Sequence, residues 1–67
     1  MKNKVRELRK RHELTQDELA ELIGISRQAI NAIEKEKFDP SLPTAFKLSE
    51  LFKISIEELF IFKSLYY

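Results

Sequence analysis

The sequence predicts an all-α domain of five short helices, with a short β-strand as an option at its C-terminal end. Three observations carry this prediction. In 67 residues the only strong helix breakers are Gly24, Pro40 and Pro43, so nothing local calls for long irregular stretches. Apolar residues recur at the spacing of a helix face in five successive stretches. Thr15, Ser26, Ser41 and Ser55 each stand just ahead of such a stretch, where a side-chain oxygen can accept from the unpaired amides of a first turn.

The first helix is expected from Lys2 to His12, with Val5, Leu8 and His12 on one stripe. Thr15 caps the second, and Glu18, three residues on, completes a capping box. That helix turns Leu19, Leu22 and Ile23 inward and stops at Gly24, which takes a left-handed turn at no steric cost. Ser26 caps the third helix, which reaches about Lys35 with Ile30 and Ile33 inward. A loop follows over Phe38, Asp39, Pro40 and Ser41. Ser41 caps the fourth helix, whose first turn tolerates Pro43 because its amides have no intrahelical partner. Leu42, Ala45, Leu48, Leu51 and Phe52 are its apolar positions. Ser55 and Glu58 form a second capping box, and Ile56, Leu59 and Phe60 make the fifth stripe. The tail from Ile61 to Tyr67 favours extended structure and has no evident place inside a monomer.

Length bounds the answer to one domain over residues 1–67, whose core is thin because so small a chain buries only about 60% of its unfolded surface. With no cysteine and a single histidine, disulfides and a structural metal are excluded as staples, which leaves oligomerisation. His12 is read as covering the core or steadying its helix end. No cofactor or small-molecule ligand is called for. The start is charged rather than apolar, and no run approaches the roughly 18–20 residues of a membrane span, so a cytoplasmic protein is expected, associated with the nucleoid if it binds DNA.

The net charge is only +1, yet Lys2, Lys4, Arg6, Arg9, Lys10 and Arg11 crowd the first eleven residues against Glu7 alone. A basic face on a near-neutral protein suits a polyanion. The second and third helices, joined by Gly24, Ile25 and Ser26, must cross steeply, as in a helix-turn-helix over about residues 16–35. Small Ala20 lets them approach, and Ile25 plugs the corner. With Ile30 and Ile33 inward, the opposite face of the third helix carries Arg27, Gln28, Asn31, Ala32 and Lys35, with no carboxylate among them. Arginine, glutamine and asparagine are the side chains that pair with guanine and adenine edges in the major groove, and alanine can meet a thymine methyl. Arg27, Gln28, Asn31 and Ala32 are therefore the candidate base-reading residues. Lys35 and Lys37 suit phosphate contacts or the dipole of the helix end. Acidic pairs such as Asp17 with Glu18 and Glu57 with Glu58 lie in first turns, where they favour the helix dipole; catalysis is not expected.

The stretch TQDELAELIGISRQAINAIE, Thr15 to Glu34, resembles the lambda-repressor/Cro-like (XRE) helix-turn-helix family, and the resemblance runs over roughly residues 3–60. It implies the five-helix lambda-repressor-like bundle and compact one-domain prokaryotic transcriptional regulators that pair through their C-terminal ends. It further implies a phosphate contact at Gln16, aided by the amides of the helix start, and at Ser26, which also caps its helix. Arg9 and Glu34 correspond to positions that often form an ion pair tying the first helix to the third; Arg9 is otherwise a phosphate contact. One departure is Glu36, where the family often has glycine.

A single short helix reads too few base pairs, and two-fold dimers place two such helices about one DNA turn apart. The tail supplies a means. A dimerisation segment over about residues 56–67, with Ile56, Phe60, Phe62, Leu65 and Tyr66 at the interface, would bury its large apolar groups. The expected function is thus a homodimeric, sequence-specific double-stranded DNA-binding regulator, most simply a repressor. The alternatives are the antitoxin of a toxin–antitoxin pair and a protein-interaction module that keeps the fold without binding DNA.

Overall fold

The computed structural model describes residues 1–62 of the 67. Among these, five helices and two short strands follow in the order β1 (Lys2–Asn3), α1 (Val5–Arg11), α2 (Gln16–Ile23), α3 (Arg27–Glu34), α4 (Leu42–Phe52), α5 (Ile56–Leu59) and β2 (Phe60–Ile61). No described helix is long and apolar enough to cross a membrane.

The caps fall where the sequence places them. Thr15 and Ser55 accept from the backbone of Glu18 and Glu58, whose carboxylates return the bond, while Ser26 and Ser41 accept from Ala29 and Thr44. The helix ends follow a second rule that the sequence only half announces. Helices α1 to α4 each close on a left-handed residue, Glu13, Gly24, Glu36 and Lys53 in turn. The next amide reaches back to a carbonyl of the last turn: Leu14 to Arg9, Ile25 to Ala20, Lys37 to Ala32 and Ile54 to Ser49. Leu14, Ile25 and Ile54 then pack on the core, so apolar contact offsets the strain of a left-handed residue. Lys37 is exposed and gives Glu36 no such support.

The core gathers Val5, Leu8, Leu19, Ala20, Ile23, Ile30, Ile33, Ala45, Leu48, Phe52, Leu59 and Phe60. His12 steadies the end of α1, its Nδ1 2.9 Å from the Leu8 carbonyl, and its ring meets Phe52 edge-on. Three expectations are corrected. Leu22 is 60% exposed, because the buried stripe of α2 passes through Ala20 instead. Leu42 is 64% exposed, since it opens α4 ahead of the turn that reaches the core. Lys2 does not begin α1: Lys2 and Asn3 pair antiparallel with Ile61 and Phe60. The segment ahead of α1 thus pairs with the segment just after α5 within one protomer.

The same pairing bears on the C-terminal segment. Phe60 is 7% exposed and part of the protomer's own core, so only an edge of it is left to face a partner. Ile56 is half-buried and Phe62 is 74% exposed, while Leu65 and Tyr66, also expected at the interface, lie outside the described residues.

Candidate nucleic-acid interface

Helix α3 buries Ile30 and Ile33 completely, and this fixes what its other sides show. Arg27, Gln28 and Lys35 are exposed, while Ala32 and Asn31, the latter bonded to Gln16 of α2, are half-buried. Gly24 (φ 84°) turns the chain between α2 and α3 in a conformation that a side chain would strain. Gln16, at the start of α2, joins Arg27, Gln28 and Asn31 around an open cleft of about 290 Å³. Lys37 is exposed just beyond α3, and the exposed Ser26 caps α3 by accepting from the Ala29 amide, which leaves its O–H able to donate.

The expected ion pair is present and nearly dry. Arg9 Nε donates to Glu34 Oε2 at 2.6 Å and Arg9 Nη2 to Oε1 at 3.2 Å, with the two side chains 11% and 3% exposed. Arg9 Nη1 also donates to the Leu14 carbonyl at 2.8 Å, which locks the turn after α1 to α3. Arg9 is therefore spent on structure. The end of α3 is held from the opposite side by Asn3, whose Nδ2 donates to the Ile33 carbonyl at 2.9 Å.

Two features were not legible in the sequence, and a third was only half announced. Gln16 Nε2 donates to both Asn31 Oδ1 (3.2 Å) and Glu34 Oε1 (3.1 Å), so its side chain faces inward as much as outward. Asp17 approaches Arg27, with Oδ1 3.8 Å from Nε and both side chains exposed, so a carboxylate from α2 does reach the edge of the face. Arg6 lines a second cleft with Arg9, Gln16, Asn31, Glu34 and Lys35. The crowding of basic residues in α1 was a signal for Arg6. Contacts between α2 and α3 depend on their crossing, and no periodicity within one helix encodes them.

The Ser55 amide, and then the Ser55 hydroxyl, hold the Glu58 carboxyl below its ordinary pKa. It lies in the α5 capping box, away from this face. Among the described residues no group of side chains could hold a metal ion.

Comparison with known proteins agrees with this geometry. The model of the helix-turn-helix family matches residues 5–59. The chain is 52% identical over 63 residues to an HTH-type transcriptional regulator of Methanocaldococcus jannaschii, covering 94% of this chain and 96% of that one. It is 45% identical over 60 residues to the HTH-type transcriptional regulator YgzD of Bacillus subtilis, covering 90% and 91%. Among solved structures, the restriction-modification controller protein C.AhdI from Aeromonas hydrophila is similar with a TM-score of 0.75 at 35% identity, over 85% of this chain and 86% of that one. With its capped α2–turn–α3 unit packed as described, the chain belongs to the lambda-repressor/Cro-like (XRE) helix-turn-helix family of DNA-binding transcriptional regulators.

Proposed function

We propose that the chain is a sequence-specific regulator that binds double-stranded DNA as a homodimer and represses transcription from a pseudo-palindromic operator. The observation that carries this reading is the outward side of α3. Arg27, Gln28 and Asn31 surround one cleft beside Gln16, on a helix whose other side is locked into the core. These groups can donate to and accept from base edges, and a rigid support makes such readout selective. Ala32 is small enough for close approach. Lys35, Lys37 and the free backbone amides at the start of α2, at Gln16, suit phosphates. The Gln16 side chain has both amide hydrogens committed within the protein, so its phosphate contact is assigned to its backbone N–H.

Dimerisation is part of the same reading, with the surface redrawn. Met1, Leu42, Phe46, Ile61 and Phe62 are all exposed. Met1 and Leu42 join Ile56, Ala45 and Phe60 around a hollow of about 250 Å³. Burying a large apolar side chain is worth about 1.5–3 kcal/mol, so two such surfaces meeting across a two-fold axis would sustain a dimer. Phe62→Asp and Leu42→Asp leave the core untouched and test this. Either should produce monomer in sedimentation and strip affinity for a full palindrome while sparing weak, salt-dependent binding to any duplex. A variant that remains dimeric, or a monomer that binds the palindrome as tightly as wild type, would refute the assignment.

A further inference from the structure

The protein's own packing accounts for only part of the basic crowd in α1. Arg9 is spent on Glu34, and Arg11 pairs with Glu7 one helical turn away at 3.0 Å. Arg6 is different. It is exposed, pairs with no carboxylate among the described residues, and lines the cleft of about 270 Å³ between α1 and the end of α3. Lys35 lines that cleft from the α3 side, exposed and likewise without a carboxylate partner among the described residues. The groups between them add no net charge: Arg9 and Glu34 cancel at 2.6 Å, and Gln16 and Asn31 are neutral. The lining therefore carries two positive charges and no uncompensated negative one. Its place matters as much. Gln16 and Asn31 also border the cleft of Arg27 and Gln28, so the two clefts share a wall. A duplex carries one phosphate charge per about 1.7 Å of its axis, so one seated against Arg27 and Gln28 brings backbone to the second cleft as well.

We propose that this cleft holds a phosphate of the DNA backbone between Arg6 and Lys35, which makes α1 a third element of the DNA contact beside α2 and α3. The inference rests on the DNA-binding reading given above and deepens it, naming the occupant of the cleft and Arg6 as a binding residue. Arg6 offers a planar guanidinium that can donate two parallel bonds to phosphate oxygens, and Lys35 offers a mobile point charge. Neither leaves a described ion pair to do so. The Arg9–Glu34 pair ties α1 to α3 and so fixes the spacing of the two walls. Phosphate contacts carry no sequence information, so Arg6 sets the register of the protein on the duplex and not the base chosen.

The test is a salt titration of wild type and variants on the preferred operator and on an unrelated duplex. Arg6→Gln should weaken both alike and lower the slope of log affinity against log salt by about one unit. Over a fourfold rise in salt, wild type should then lose about 3.5-fold more affinity than the variant. The melting temperature should not move, since Arg6 has no described ion-pair partner to lose. Arg6→Lys keeps the charge and should restore the slope, at lower affinity because the fork is gone. Lys4→Gln is the control, because it removes an equal charge from the same segment beside Glu58 of α5. It should change the slope by less than half as much. An Arg6→Gln slope equal to that of wild type would overturn the proposal, as would a Lys4→Gln change as large as that of Arg6→Gln. So would a loss confined to the operator, which would make Arg6 a reader of bases. A saturable shift of the Arg6 Nε–H resonance with inorganic phosphate, joined to an unchanged slope on DNA, would assign the cleft to free phosphate and overturn it too. A wild type that binds no duplex fails differently, since it removes the DNA-binding reading itself and this inference with it.

Discussion

Replacing Arg9 by Met should be among the most damaging single changes this protein can suffer. Glu34 would keep its place at 3% exposure with Gln16 as its remaining donor, and the Leu14 carbonyl would lose the Arg9 Nη1 bond. Removing one partner from a buried pair costs about 3–5 kcal/mol, because the other charge is left without compensation. A chain of this size has a total stability of about 3–10 kcal/mol, so the loss takes a large share of it. At about 4–8 °C per kcal/mol for small domains, the melting temperature should fall by more than 10 °C. Glu34→Leu should hurt for the complementary reason, leaving the guanidinium without its acceptor. The double variant should recover much of the loss, since an apolar pair of similar volume is often neutral in place of a buried ion pair. Urea unfolding followed by circular dichroism, with an osmolyte added for the single variants, measures all four corners of the cycle. A coupling energy of about 2 kcal/mol or more is expected. Effects that add to within about 0.5 kcal/mol would show that the two side chains do not depend on each other and would return Arg9 to the phosphate contacts.

Glu36 holds a left-handed conformation (φ 62°) without a packed apolar residue after it, so Glu36→Gly should stabilise the protein by about 1 kcal/mol in the same unfolding assay. A destabilised variant would mean that the Glu36 side chain supplies more than its backbone costs. Lys35→Gln or Lys37→Gln should weaken binding on every duplex and lower the salt slope by about one unit, and an unchanged slope would place that lysine away from the DNA backbone. Glu58 has a folded-state pKa below its ordinary value, so its charge stabilises the fold above the usual carboxylate range and stops doing so as pH falls through the lowered value. Glu58→Gln should thus be less stable than wild type near neutrality and equal to it in strong acid; a difference independent of pH would assign the effect to shape instead of charge.

The parts that could be read from the chain are those governed by local rules. Thr15 with Glu18 and Ser55 with Glu58 announce helix starts because a cap needs one oxygen at one position, and the structure has both capping boxes. Gly24 announces its turn for the same reason. The left-handed residues Glu13, Glu36 and Lys53 give no such signal, because what permits them is the packing of the following residue, or, for Glu36, nothing that composition reveals. Leu22 and Leu42 mislead because hydrophobicity marks a residue as able to be buried, whereas the direction of the helix decides whether it is. Phe60 is legible only in part: its place on the fifth stripe marks it for burial, while its strand partner lies near the start of the chain, and pairing over that separation leaves no trace in local periodicity. At the site, Ile30 and Ile33 were enough to orient α3 and so to place Arg27, Gln28 and Asn31. That Gln16 reaches across to Asn31 and Glu34 depends on how α2 and α3 cross, and that required the structure.

If the outward side of α3 reads DNA sequence in two copies related by a two-fold axis, selection of bound duplexes from a random pool by the wild-type protein will show it. The enriched sequences should form a pseudo-palindrome with half-site centres about 10 bp apart, and their affinity should fall steeply with salt. A pool that stays random after selection, with duplexes bound equally or not at all, would contradict it.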